Sequence, residues 1–154
     1  MKYAYETEQG QQALAARNRT ADYYACIHGL KTAISPNPLD PLPVYFLRNG
    51  RLDSLAIIRN RSERLSSFPW SSIILTASKV DMLKREVILR NVNGLVIVRM
   101  ADDALLSWRV GPLINYPRGN SITKGDCLGS HFVERENVFL PLDRATVVTP
   151  DQLV

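Results

Sequence analysis

The sequence predicts an α+β (or α/β) protein in which a single mixed β-sheet is flanked by helices. Segments with helical periodicity, 5–28 and 78–90, alternate with pairs of apolar runs typical of strands. Asn49-Gly50 lies between two such runs and is a strong hairpin signal. Alternation of this kind around one sheet favours an α+β or α/β sandwich. At 154 residues the chain is predicted to form one domain, 1–154, with a turn-rich C-terminal segment 111–154.

The N-terminal third predicts helix, then loop, then hairpin. Tyr5, Ala13, Ala16, Tyr24 and Ile27 share faces at helical spacing. The proline-rich segment that follows is excluded from helix or central strand, because each proline fixes φ and removes a hydrogen-bond donor. It is expected to deliver the chain into the hairpin. The predicted loop is 35–43, and the predicted hairpin strands are 44–47 and 52–58.

The middle of the chain predicts a short strand, a helix and a second strand pair. An apolar stretch after the loop 66–70 predicts the strand, and good helix formers follow it. Two further apolar runs are separated by an Asp-Asp turn. The predicted elements are strand 72–75, helix 78–90, strands 95–100 and 105–110, and the turn 101–104.

Composition excludes several classes of protein. Hydrophobic residues make up 45% and charged residues 22%, which argues against disorder. No apolar run approaches the ~18 residues of a membrane span, so no membrane partner is expected. Cys26 and Cys127 are predicted to be free thiols in a reducing compartment, and His28 and His131 have no zinc-ligand spacing. The net charge of +4 is compatible with nucleic acid without demonstrating it.

The stretch 47–64 carries the most specific pattern. Its apolar run, in which 56–59 read Ala-Ile-Ile-Arg, breaks abruptly into Arg-Asn-Arg. This outline resembles the second core strand of the PD-(D/E)XK (restriction-endonuclease-like) nucleases, particularly small phage-type members that read Ala-Glu-Ile-Lys before a basic segment. On that resemblance Ile57 replaces the metal-binding glutamate and Arg59 replaces the charge-stabilising lysine.

Three weaker motifs extend the resemblance over most of the chain. Glu6 and Gly10 are similar to the Glu-x-x-x-Gly start of the family's first helix, and 78–83 is similar to its Ser-x-Lys-x-Asp helix start. The C-terminal part follows the order of the family's closing motif, with Thr123, Gly129, 135–139 and 142–143. The resemblance implies a restriction-endonuclease-like fold and a phage-encoded protein, located in the host cytoplasm or incorporated into a virion.

The same alignment predicts a degenerate active site. Such nucleases hold a divalent cation on acidic residues, and isoleucine offers Mg²⁺ no oxygen. The strand before the hairpin turn, which supplies the first acidic ligand in the family, has no carboxylate, and Asp53 and Asp40 are the nearest substitutes. We therefore expect no metal, no cofactor and no catalytic residue. No phosphate-binding glycine loop or nucleophile elbow offers another chemistry.

Three classes of function stay open. The first is a pseudoenzyme that serves as an assembly module, with phage structural proteins or a second copy as partner, or as a nucleic-acid-binding module. The second is an active Mg²⁺-dependent DNA endonuclease whose site has migrated to Glu6, Asp53 and Lys79, with Asp81 as a further oxygen donor. The third is a structural protein that does not depend on nucleic acid, such as a virion component. For the nucleic-acid module, we expect arginines of the hairpin and of the segment after it to crowd one rim and bind the DNA phosphate backbone. They are Arg48, Arg51, Arg59, Arg61 and Arg64. Neutralisation of this set by Glu63 and Asp53 is the competing interpretation.

Overall fold

A computed structural model describes residues 4–124 and 132–153. Two α-helices, α1 (Glu8–His28) and α2 (Ala77–Arg90), pack against a six-stranded mixed sheet. Its strands, in spatial order, are β1 (Lys31–Ile34), β2 (Val44–Arg48), β3 (Arg51–Asn60), β5 (Asn93–Arg99), β6 (Leu105–Val110) and β9 (Thr146–Val148). The predicted α+β class and the mixed sheet flanked by helices are confirmed.

A second sheet corrects the prediction of a single one. It has three antiparallel strands, in the order β4 (Ser72–Thr76), β8 (Phe132–Pro141) and β7 (Arg118–Lys124). Segment 111–154 is predicted to be turn-rich, whereas β7, β8 and β9 lie in it. The predicted strand 72–75 therefore exists, but it pairs with a strand far along the chain and not with the hairpin. Cys127, Gly129 and His131 lie outside the described residues.

Local sequence explains why the predicted elements form. Thr7 caps α1 by accepting the Gly10 N–H at 2.9 Å, and Gly29 ends the helix in the left-handed conformation. At the hairpin turn Asn49 and Gly50 both have positive φ, which is the conformation that an Asn-Gly hairpin turn requires. The predicted helices and strands of residues 5–110 are confirmed, with ends that shift by a few residues. The four-residue strand β1 is an addition.

Strand β3 is buried on both faces because each face is covered. Ala56 and Ile58 pack with Ala21 and Tyr24 of α1, whereas Leu55 and Ile57 belong to the core shared by α2 and the second sheet. β3 pairs antiparallel with β2 and parallel with β5. A central strand with this environment needs a continuous apolar run, which is what 55–58 provide. None of the helices in the described ranges is long and apolar enough to cross a membrane.

Candidate functional site

A cavity opens at the C-terminal end of β3, where this strand extends beyond its neighbour β2. Val44, at the start of β2, pairs with Ala56, so Ile57 to Asn60 continue beyond their antiparallel neighbour. The space beside them has a volume of about 200 Å³. Both helices contribute to its wall. Its lining is Arg17, Asp40, Pro41, Pro43, Val44, Ala56, Ile57, Ile58, Arg59, Lys79 and Met82. We call this space the β3-end cavity.

The two positions that the resemblance aligns with the nucleases' catalytic residues both lie at this cavity. Ile57 is only 5% exposed and packs in the core on the α2 side. Arg59 lies two residues further on, where the strand leaves the core, and its guanidinium donates to the Ile58 carbonyl oxygen at 2.9 Å. Burial lowers the pKa of Arg59 from its ordinary value, yet an arginine keeps its charge in proteins. The cavity wall therefore has a branched apolar side chain and a fixed positive charge.

Two more cations reach the cavity from the helices. Arg17 lies one turn before Thr20, whose hydroxyl contacts Asn60 at the end of β3 at 2.6 Å, so the same face of α1 meets this end of the strand. Burial lowers the pKa of Arg17, which is also half-buried. Lys79 is in the first turn of α2 and is exposed. Three positively charged side chains thus converge from three different elements.

A single carboxylate, that of Asp40, accompanies these cations in the lining. Its Oδ1 accepts the Leu42 N–H at 3.0 Å, so the proline-rich loop holds it in place. Among the residues that the structure describes, no carboxylate oxygen lies within 4.0 Å of the nitrogens of Arg17, Arg59 or Lys79. The cavity lining therefore has more positive than negative side chains, and no carboxylate of the described residues forms an ion pair with these cations.

The residues of the migrated nuclease site are not brought together. Lys79 lines the cavity, but Asp53 lies toward the other end of β3, about 20 Å from Arg59 at ~3.3 Å per residue. Glu6 precedes α1, and the helix between Thr7 and Arg17 rises about 15 Å. Asp81 faces elsewhere and pairs with Arg118, which holds the pKa of the Asp81 carboxyl below its usual range. Within the described ranges, no group of three His, Cys, Asp or Glu side chains is arranged to hold a metal ion.

The expected single rim of five arginines is also corrected. Arg48 and Arg51 flank the hairpin turn, and the turn end of β3 lies about 26 Å from Arg59 at ~3.3 Å per residue. Arg48 is exposed and forms a 3.4 Å ion pair with Asp53. The arginines therefore divide between the turn end of the strand and the cavity end.

The remaining two arginines follow β3 at the cavity end. Arg61 forms a two-pronged ion pair with Glu63, at 2.9 and 2.8 Å, and this contact lowers the pKa of the glutamate. Arg64 is exposed, and its charge contributes to lowering the pKa of Asp102. Glu63 thus neutralises Arg61, as the competing interpretation of the sequence expects. It does not form an ion pair with Arg59.

Sequence reasoning missed Arg17, although its spacing contains a usable signal. Arg17 precedes Thr20 and Tyr24 by three and seven residues, which places a cation on the buried face of α1. A charge in an otherwise covered stripe is costly unless something offsets it, and is therefore worth attention. Phe68 and Trp70, in the loop after β3, are two further candidate residues that the predicted site does not include.

No protein-family model matches the chain, and no curated protein matches it. The resemblance to the nucleases therefore rests on the short motifs described above. The restriction-endonuclease-like label stays a prediction, as do the phage origin and the location in the host or the virion.

Proposed function

We propose that this chain is a catalytically inactive, nuclease-like module that binds nucleic acid through its phosphate backbone. The observation that supports it most directly is the β3-end cavity, with three cations, one carboxylate and the buried Ile57 in its wall. Ile57 and Arg59, the two positions that the resemblance aligns with the nucleases' catalytic residues, line it, and so does Lys79 at the start of α2. On this proposal the β3-end cavity binds phosphate groups but does not catalyse their hydrolysis.

Charge is the first argument for an anionic ligand. Half-buried guanidinium groups lose part of their hydration, and like charges in one cavity repel each other. A phosphate group offsets both costs and accepts charge-assisted hydrogen bonds from each donor. Arg59 is well suited to this role, because no carboxylate in the described part of the chain lies within 4.0 Å of it and it stands at the end of a buried strand.

The same charges argue against a metal-dependent nuclease. A divalent cation held by such an enzyme needs several oxygen ligands, usually with more than one carboxylate. Here Asp40 would be the only carboxylate in the lining, and it would share the site with three positive side chains. Mg²⁺ in this cavity would be repelled, and Ile57 would leave one coordination position without a donor.

The proposal is tested by neutralising the two helix-borne cations. In Arg17→Gln/Lys79→Gln we expect DNA binding to weaken. For duplex DNA the slope of log K against log salt should become less negative by up to about 1.8, because each neutralised phosphate contributes about −0.9. Fluorescence anisotropy with labelled duplex and single-stranded oligonucleotides across a salt series measures both quantities. The matched control is Arg85→Gln, since Arg85 is exposed on α2 and outside the cavity lining. Equal effects of the control and the double variant would contradict the proposal.

Assembly, as a virion component or as a homo-oligomer, is the second candidate. Ile88 and Leu89 near the end of α2 are 54% and 73% exposed, and Leu113 is 92% exposed. Lys84, one turn before Ile88, donates to the Ile114 carbonyl oxygen at 3.3 Å, which ties the segment after β6 to α2. Neighbouring exposed apolar side chains such as Ile88 and Leu89 are candidates for a contact surface. Analytical ultracentrifugation of the same protein without DNA would reveal self-association.

A further inference from the structure

An exposed aromatic pair lies in the loop that follows β3. The rings of Phe68 and Trp70 meet edge to face, with centroids 5.3 Å apart at 71°. Trp70 is 60% exposed, whereas the other tryptophan, Trp108, is fully buried. The guanidinium of Arg61 lies over the Phe68 ring, 5.6 Å from its centroid. Arg61, Phe68 and Trp70 thus form a continuous row on the surface, which we call the aromatic row.

The aromatic row adjoins the β3-end cavity through Arg59. A smaller cavity of about 120 Å³ is lined by Arg59, Asn60 and Arg61 on one side and by Ile73 to Leu75 of β4 on the other. Arg59 lines both this cavity and the larger one. A chain of phosphates that enters the β3-end cavity would therefore pass close to the aromatic row.

Hydrogen bonds hold the loop of the aromatic row in place. Asp102 accepts the backbone N–H groups of Leu65 at 2.9 Å and Ser66 at 3.2 Å. The backbone carbonyl of Glu63 accepts the N–H of Ala101 at 2.8 Å, and its side chain fixes Arg61. The row is therefore presented in one arrangement while Trp70 faces solvent. Pre-organisation of this kind reduces the entropy lost when a ligand binds.

We propose that the aromatic row is a stacking platform for an unpaired nucleobase, so that the partner of the cavity is single-stranded nucleic acid. This inference rests on the proposed function. Basic side chains that follow a phosphate backbone beside exposed aromatic rings are the two components of single-strand binding sites. Bases of a duplex stack on each other and present only their edges in the grooves, so a duplex offers Trp70 no ring face. Every base has a π-face, so the platform is expected to tolerate any sequence.

The experiment compares a thymine oligonucleotide of about 20 nucleotides with a duplex hairpin, in the presence of the full chain and its Trp70→Ala variant. We expect the single strand to quench the fluorescence of exposed Trp70, and Trp70→Ala to weaken single-strand binding by about 5- to 150-fold while duplex binding changes little. Trp70→Phe should retain most of the affinity, because it keeps an aromatic face. Leu153→Ala, at another exposed apolar position, is the matched control and should have no effect.

Four results would overturn the inference, the last of them together with the proposed function. Unchanged single-strand affinity in Trp70→Ala would remove the stacking platform and leave the phosphate cavity standing, provided that Arg17→Gln/Lys79→Gln still weakens binding. Equal losses for duplex and single strand would remove the preference for unpaired bases. Loss of self-association in Trp70→Ala would make the row a protein contact. Failure of both nucleic acids to bind the parent chain would overturn the proposed function together with this inference.

Discussion

The two ends of strand β3 carry the same kind of side chain in opposite surroundings. At the turn end, Arg48 has 53% of its side chain exposed and shares a 3.4 Å ion pair with Asp53. At the other end, Arg59 is half-buried in the wall of a cavity that both helices also line, and no carboxylate among the described residues lies within 4.0 Å of it. The charge of an exposed arginine is screened by water and salt, whereas a half-buried one keeps most of its attraction for an anion.

The difference teaches that coverage, and not the count of arginines, defines the candidate site. Both ends of β3 are basic in sequence, and a charge count alone would treat them alike. Only the cavity end has Arg17 and Lys79 brought in from other elements, together with the buried Ile57. If this reasoning is correct, changes at the two ends should have unequal effects.

The largest expected effect is on stability at the cavity end. Ile57→Glu should lower the free energy of unfolding at pH 7 by about 3 to 5 kcal/mol, because it buries a carboxylate in the core shared by α2 and the second sheet. Arg51→Glu, at the exposed turn end, should change it by less than about 0.5 kcal/mol. Urea unfolding of both variants measures the two values. A variant at position 57 as stable as the parent would show that the cavity still accommodates the family's carboxylate.

The next effect is on DNA binding. Arg59→Gln should weaken binding by about 1.5 to 3 kcal/mol, the usual contribution of a hydrogen bond to a charged group, whereas Arg51→Gln should leave it nearly unchanged. Anisotropy titrations at several salt concentrations give the affinities and the slopes. Urea unfolding of Arg59→Gln checks that the loss is not one of folding. Similar losses for both variants would restore the expected single patch of five arginines and remove the distinction between the two ends.

The smallest effect is a pH dependence at the cavity end. The N–H of Leu65, followed by that of Ser66, holds the pKa of Asp102 below its ordinary value. The stabilisation that this carboxylate provides is therefore present above about pH 4 and is lost as pH falls through its lowered folded-state pKa. The difference in unfolding free energy between the parent and Asp102→Ala should shrink over that range.

Urea unfolding from neutral pH to about pH 2 measures this difference. The turn-end control is Asp53→Ala, which removes a carboxylate from an exposed ion pair and should change the unfolding free energy by less than about 1 kcal/mol. A difference for Asp102→Ala that stays constant with pH would show that the ionised carboxylate does not hold the loop of the aromatic row.

Much of the fold was predictable because it depends on local patterns. The spacing of Tyr5 to Ile27 indicates the first helix, and Asn49-Gly50 indicates the hairpin that the structure contains. The second sheet was not predictable in this way. Strand β4 pairs with β8, so that Ile73 faces Leu140 across a wide separation in sequence. Pairing at such a distance depends on which segments meet in the folded core, and no local periodicity encodes it.

The sequence by itself determined what the candidate site lacks. Isoleucine at position 57 and the absence of a carboxylate in the preceding strand can be read directly from the chain, since they are matters of residue type. Only the tertiary structure decided which cations meet. Arg17, Arg59 and Lys79 lie on a helix, a strand and a second helix. They converge because β3 extends beyond the start of β2, at the end where both helices line the cavity. Proximity of this kind follows from packing, which brings residues together irrespective of their separation in sequence.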